Sequence, residues 1–450
     1  MRFTGNLKSL TIPNLFEVRE LNTRILLFVI LSMVTIVVVA GLVVLYENAQ
    51  SPTWSSSLEH FATDFTVDGN KVFVADGWGN VYCFDTESGR SLWNATVGAY
   101  TAAGSVITTY EGKVYVGSRG SVVNKLDEDT GKVELSFQAT VYTSYGQKSP
   151  PEFFVADGKV FVSELFMTVY DAHSGELFWN STYSGITLGN ASYSASESSY
   201  IFVRRTSRIN ANNGQALWSV IGDASDPAVV SEGKVILWNY NPTGRSEDGQ
   251  SILCVDAFSG AKLWEYDVGV RIFQPTVSNS LVLFGAEDGC LYAVNFADGS
   301  LEWKAFVDDQ RLIETFNGYT EEQKSLATMR GSLVQVDSQS QRVFWSVVVS
   351  NNGQDIYVGA IWSLGLSNGD RIWNSSVSNN NPTYTEYGVF TSISLSNGIL
   401  YATEHSDLYF IDAYAGNVRL RRNFDHYVLP PVVADDKVFV AEDLRFTAYK

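Results

Sequence analysis

A chain of 450 residues, 45% hydrophobic and 13% aromatic, carries enough apolar surface for a large core, and its 36 glycines point to many turns. The formal net charge of −18 excludes a surface made for nucleic acid or anionic lipid. Three cysteines are too few for a disulfide framework.

Residues 1–24 are a short polar tail with Arg2, Lys8, Arg19 and Arg24. Residues 25–46, ILLFVILSMVTIVVVAGLVVLY, then run without a charge for a length that spans a bilayer as a helix. Basic residues precede the run and Glu47 is the first charge after it. The positive-inside rule therefore predicts a single-pass protein of the cell membrane, with its N-terminus cytoplasmic and residues 47–450 outside. A cleaved signal peptide is the rival reading, but its apolar region is shorter, and only Ala49-Gln50-Ser51 offers a poor cleavage site. No cysteine follows the run to take a bacterial-type lipid anchor. Residues 47–52 read as a linker and residues 53–450 as one repeat domain.

The repeat is plainest at residues 69–93, GNKVFVADGWGNVYCFDTESGRSLW. Short apolar strands at 72–75 and 81–84 flank a turn, Asp76-Gly77-Trp78-Gly79-Asn80. A second turn at 85–89 leads to a third strand ending in Trp93. The signature is Asp or Asn, three residues, Gly, three residues, Trp. It is complete at Asp85…Trp93, Asp171…Trp179, Asn210…Trp218, Asp256…Trp264 and Asn295…Trp303. Asp127…Gly131 has Leu135 in the tryptophan place, Asp337…Gln341…Trp345 lacks the glycine, Gly369…Trp373 lacks the acid, and Asp412…Gly416 ends in Leu420. A period of roughly forty residues built of short strands predicts a propeller or an array of small sheets. The acid is expected to bond the backbone of its own turn, the glycine to supply positive φ, and the tryptophan to join one blade to the next.

Trp54 fits the outer strand of a unit whose other strands come last, within residues 430–449, so that an N-terminal strand closes the ring. The expected repeat tryptophans are thus Trp54, Trp93, Trp179, Trp218, Trp264, Trp303, Trp345 and Trp373. Trp345 and Trp373 stand unusually close for two separate units.

The runs 171–179 and 256–264, each preceded by Gly-Lys-Val (158–160 and 233–235), resemble the pyrroloquinoline-quinone-type β-propeller repeat family over residues 53–450. The expected fold is all-β, a multi-bladed propeller of eight to ten blades after one transmembrane helix. The resemblance favours eight blades and the count of units favours nine or ten. The fold hosts unrelated functions. Members that are outer-membrane assembly lipoproteins carry a lipid anchor, from which this sequence departs for want of its cysteine. Members that are quinone-dependent dehydrogenases use a vicinal cysteine pair, a Ca²⁺ site and a catalytic Asp, none of which has a matching position in this sequence.

Chemistry is otherwise sparse. The four histidines lack metal-ligand spacing, and no Cys-x-x-Cys-His, nucleophile elbow or phosphate loop occurs. Residues 76–80 and 287–290 slightly resemble Ca²⁺ loops but lack the repeated acids, and read as hairpin turns. Cys83, Cys254 and Cys290 are expected as buried free thiols. Prolines before several inner strands place Tyr142, Tyr145, Asp226, Arg271, Gln274, Arg311, Glu314, Tyr387 and His426 near one mouth of the central channel, a candidate binding surface. Four glycosylation sequons occur, at Asn94, Asn180, Asn190 and Asn374, three of them directly after a repeat tryptophan.

The expectation is a membrane-anchored extracytoplasmic propeller that binds or scaffolds other envelope or secreted proteins, without cofactor. The sequons, the long anchor and the lack of disulfides fit an archaeal envelope better than a bacterial periplasm. The alternative is a PQQ- and Ca²⁺-dependent oxidoreductase or a small-ligand sensor using the central channel.

Overall fold

The computed structural model describes residues 52–98, 106–118, 120–139, 151–163, 167–180, 192–194, 199–202, 207–220, 228–240, 250–306, 327–351, 358–377, 390–404, 406–424, 428–442 and 444–449. The expected span 25–46 lies outside them, and among the described residues no helix is long and apolar enough to cross a membrane. These residues build nine four-stranded antiparallel sheets. In chain order eight of them occupy residues 62–96, 107–138, 152–180, 192–219, 229–267, 276–306, 327–377 and 392–423. The ninth, the closing sheet, joins the last three strands, Val432–Ala434, Lys437–Glu442 and Arg445–Tyr449, to the first strand of the chain, Trp54–Ser57. The register there is Trp54 opposite Ala448 and Ser55 opposite Thr447, with Ser56 and Ser57 opposite Phe446 and Arg445.

Strand order within each of the first eight sheets follows chain order, so the first strand of one sheet can meet the first strand of the next. Ala62–Asp68 approaches Ile107–Tyr110, which approaches Glu152–Ala156. Val229–Ser231, Thr276–Ser278, Ala327–Asp337, Ser392–Ser396 and Val432–Ala434 form a second chain of neighbours, and the last returns to Ala62–Asp68. First strands therefore lie innermost and fourth strands outermost.

Burial explains the sequence pattern. The second strand Lys71–Asp76 and third strand Asn80–Asp85 are buried on both faces, because each sheet is sandwiched between two others. They read as continuous apolar runs. The outermost strand Ser91–Thr96 buries one side chain, Trp93, and the same single buried tryptophan occurs in Lys262–Asp267 and Leu301–Phe306.

That tryptophan is a latch. The indole of Trp93 lies over Gly131 of the next sheet, and its Nε1 donates to the Glu128 carbonyl at 2.9 Å. Trp54 does the same to Gly89 and Thr86, Trp179 to Gly214 and Ala211, Trp218 to Gly260 and Ala257, Trp264 to Gly299 and Phe296, Trp303 to Gly369 and Leu366, and Trp373 to Gly416 and Ala413. The glycine answers two demands at once: φ is +68° at Gly131, and a Cβ there would sit 2.4 Å from the indole. The turn acid bonds its own turn as expected, with Asp85 Oδ1 accepting from the Ser88 amide at 2.7 Å. Ser88 and the turn amides hold the Asp85 carboxyl below the usual carboxylate range.

A second contact strengthens most of these joints. Lys234, from a Gly-Lys-Val run, donates to the Phe296 carbonyl at 2.8 Å and sits 4.6 Å from the centre of its ring. Arg208 reaches the Phe258 carbonyl, Arg342 those of Ala413 and Tyr414, and Lys125 that of Ala172. Lys71 pairs with Glu128 and Lys437 with Glu87.

Two details depart from the sequence reading. Trp345 does not hold the repeat position: it lies on the second strand of the seventh sheet, opposite Trp362, and the turn Asp337–Gln341 joins that sheet's first two strands. Trp345 and Trp373 therefore belong to one sheet, and the count of ten units falls to nine sheets. At the second sheet, Phe137 rather than Leu135 covers the next glycine, Gly175.

Gly131→Ala is expected to lose about 1 kcal/mol for its left-handed backbone and about 1–3 kcal/mol more for overpacking against Trp93. Gly158→Ala, with φ +67° and nothing within 4 Å of its Cβ, should lose only the first part. Equal losses in urea unfolding would contradict the latch.

Candidate binding rim

In these antiparallel sheets the turn between second and third strands and the link to the next sheet leave from one end. The glycine turns leave from the other. We term these the crossover rim and the latch rim. The channel-mouth residues read from the sequence belong to crossovers. Of them, Arg271 and Gln274 are described and exposed. Tyr142, Tyr145, Asp226, Arg311, Glu314, Tyr387 and His426 lie outside the described residues, as does Asn190.

Arg271 and Gln274 flank a crossover that is held rigidly. Buried Asn239 of the fifth sheet accepts from the Ile272 amide at 2.7 Å and donates to the Ile272 carbonyl at 2.9 Å. A corresponding tie joins the first two sheets, where Asp64 Oδ2 accepts from the Ile107 amide at 2.9 Å. Burial raises the Asp64 carboxyl despite that bond.

The first sheet adds a feature that the sequence reading placed only as a hairpin turn. Asp76 is fully buried at the end of its strand. Its Oδ1 accepts from the amides of Trp78 and Asn80 at 2.9 and 2.8 Å, and its Oδ2 from the Asn80 side chain at 2.8 Å and the Tyr82 hydroxyl at 3.1 Å. Gly79, at φ +85°, packs so tightly on Gly98 that a Cβ would meet its carbonyl oxygen at 2.8 Å. This braced turn holds Trp78 half exposed, at 50%, with the His60 ring stacked on it at 4.5 Å. Phe61, 43% exposed, lies beside them and accepts from the Gly77 amide through its carbonyl. Leu444 of the closing sheet is also exposed and accepts from the Leu58 amide. The result is an apolar, aromatic patch on the crossover rim at the point where the ring closes. Its signal in the sequence was Asp-Gly-Trp-Gly-Asn, an aromatic residue in a turn that needs none.

Acid–tyrosine pairs recur along this rim. Asp288 accepts from Tyr292 at 2.6 Å and pairs with Lys304 at 2.9 Å. Burial pulls its carboxyl up, but these two donors keep it below the usual range. Asp407 is held by the Arg421 guanidinium at 3.0 and 2.8 Å and by Asn423 at 2.9 Å. Glu404, beside it, accepts from Tyr409 at 3.2 Å through Oε2, and its buried Oε1 has no hydrogen-bond partner among the described residues. Burial pushes Glu404 up to about 7.

Among the described residues no three His, Cys, Asp or Glu side chains gather to hold a metal ion. The 76–80 and 287–290 segments are turns between second and third strands. The three cysteines are free and buried, and burial pushes Cys83 and Cys254 up to about 12 and Cys290 to about 11. Such thiols are inert.

Residues 39–198 and 204–450 match the family model described as "Outer membrane protein assembly factor BamB". Two curated relatives bear that name. The one from Moranella endobia (strain PCIT) is 21% identical over 375 residues, spanning 78% of this chain and 77% of the relative. The one from Shewanella oneidensis is 24% identical over 367 residues, spanning 68% and 86%. The fold is similar to that of a solved quinohemoprotein alcohol dehydrogenase from Pseudomonas putida HK5, with a TM-score of 0.53 and 12% identity over 90% of this chain and 77% of that one.

Glu404, with its folded value near 7 above the ordinary 4.5, contributes stability that is complete at acid pH and is lost as pH rises through 7. Glu404→Gln removes that dependence. Its melting temperature relative to the parent should be higher at pH 8 than at pH 5, and an equal difference at the two pH values would show that the carboxyl is ionised in the folded state at both.

Proposed function

The chain belongs to the BamB-type family of PQQ-like β-propeller repeat proteins, and on that footing we propose that it is a protein-binding propeller of the cell envelope. We read its nine sheets as nine blades of one ring. Residues 25–46 anchor the chain in the membrane as a single span, with the propeller outside. Its partners are other envelope or exported proteins, taken up during their assembly, as the names of the relatives describe for them.

One observation carries this reading: the braced aromatic patch of His60, Phe61 and Trp78 on the crossover rim. Exposed tryptophan and phenylalanine cost solubility unless a partner covers them. Large flat side chains that are already immobile lose little entropy on binding, which is why they dominate the energetics of protein interfaces. The Asp76 network supplies that immobility in advance.

Photocrosslinking in intact cells tests the proposal. A photoreactive phenylalanine analogue at Trp78 is expected to form adducts with a small set of envelope proteins, while the same analogue at Leu217 on the outer wall is not. Adducts at neither position, or only with cytosolic proteins, would sink the reading.

A further inference from the structure

The outermost strand of each sheet leaves one backbone edge unpaired, and such edges invite pairing with other chains unless they are blunted. Three of these strands carry one shared pattern: Trp93-Asn94-Ala95-Thr96, Trp179-Asn180-Ser181-Thr182 and Trp373-Asn374-Ser375-Ser376. The strands Ser91–Thr96, Leu177–Asn180 and Arg371–Val377 are each last in their sheets. In each, the tryptophan turns toward the glycine of the next sheet. Alternation then sends the following Asn to the other side, and all three Asn are exposed.

The register places them alike. Trp93 stands opposite Cys83 and Asn94 opposite Tyr82, Trp179 opposite Val169 and Asn180 opposite Thr168, Trp373 opposite Ser363 and Asn374 opposite Trp362. The three amides thus sit at one height on the outer wall. Three of the other outer strands bear charge at that height, as Glu265, Lys304 and Arg421 follow Trp264, Trp303 and Leu420, while Ser55, Ser136 and Ser219 follow Trp54, Leu135 and Trp218. The strands with the Asn pattern have no charge from the tryptophan onward within the strand.

We propose that Asn94, Asn180 and Asn374 are N-glycosylated, forming a partial belt that blunts uncharged outer edges and leaves both rims clear. This rests on the exported placement proposed above. The donor is a sugar carried on a lipid phosphate, and the cell's oligosaccharide transferase supplies the base. Asn Nδ2 bonds to the anomeric carbon, the bond from that carbon to the phosphate oxygen breaks, the lipid phosphate leaves, and the amide proton passes to the base.

The test uses the full chain purified from the membranes of its own cells, with peptide mass spectrometry across each Asn and protease accessibility on intact cells. The expected result is a sugar mass on all three peptides, with Asn94→Gln and Thr96→Ala each removing the modification at Asn94 alone. Thr96→Ala leaves the amide in place, so its effect separates sequon loss from misfolding. Unmodified peptides from a domain that external protease can reach would overturn the inference alone. Unmodified peptides from a protected domain would overturn it together with the exported placement.

Discussion

The ring depends on one piece of non-covalent pairing. In eight sheets all four strands follow one another along the chain, but in the closing sheet the fourth strand comes from the opposite end. Trp54 carries two duties there. Its backbone pairs with Ala448, and its indole latches onto Gly89 and the Thr86 carbonyl of the first sheet. The cluster around it, including Phe65, Val72, Phe439 and Phe446, draws on residues from both ends of the chain. The other side of the closing sheet has a different joint. A latch needs a glycine turn between third and fourth strands, and in the closing sheet those strands are not consecutive in the chain. The eighth sheet accordingly presents Leu420 in place of tryptophan. Phe410 meets Tyr449 edge-on at 5.1 Å, Arg422 lies 5.4 Å from the Tyr449 ring centre, and Asn397 donates to the Asp436 carbonyl at 3.2 Å.

The same construction divides the surface into regions with separate roles. The latch rim is occupied by glycine turns, indoles and the lysines and arginines that reach across to the next sheet. The crossover rim carries no tryptophan latch, and here the braced Trp78 and the buried acid–tyrosine pairs are found. The outer wall shows mostly backbone edges. A binding surface on the turns between second and third strands can thus be altered without touching the tryptophan latches, although crossover ties such as Asn239 to Ile272 also join sheets.

The repeat was legible in the sequence because its physics is local. Asp, Gly and Trp at fixed offsets report a turn, a positive φ and a docked ring, and each keeps its residue type for a reason that recurs. Trp345 misled because its neighbours Asp337 and Gln341 form a real turn of similar spacing, with Gln341 itself at φ 54°. Only pairing shows that this turn joins the first two strands rather than the last two. Phe137 was missed because it covers Gly175 from two residues beyond the expected position. The lysine of Gly-Lys-Val was visible as part of a motif, but its reach to a carbonyl in the next sheet depends on the ring geometry. At the rim, the patch of His60, Phe61 and Trp78 brings together a crossover and a turn that are separate in sequence. Periodicity carries no information about such a meeting. Arg271 and Gln274 were placed at the crossover by the proline that follows them, a local signal again.

The most direct measurement is a cysteine pair across the closure. Ser55 and Thr447 stand opposite one another, with their hydroxyl oxygens 3.1 Å apart. Directly opposed positions in an antiparallel pair are close enough for a disulfide. The double variant Ser55→Cys, Thr447→Cys should oxidise within one chain in high yield and melt at a higher temperature than its reduced form. Cysteines that stay reduced, or that link only between chains, would mean that the N-terminal strand does not close the ring.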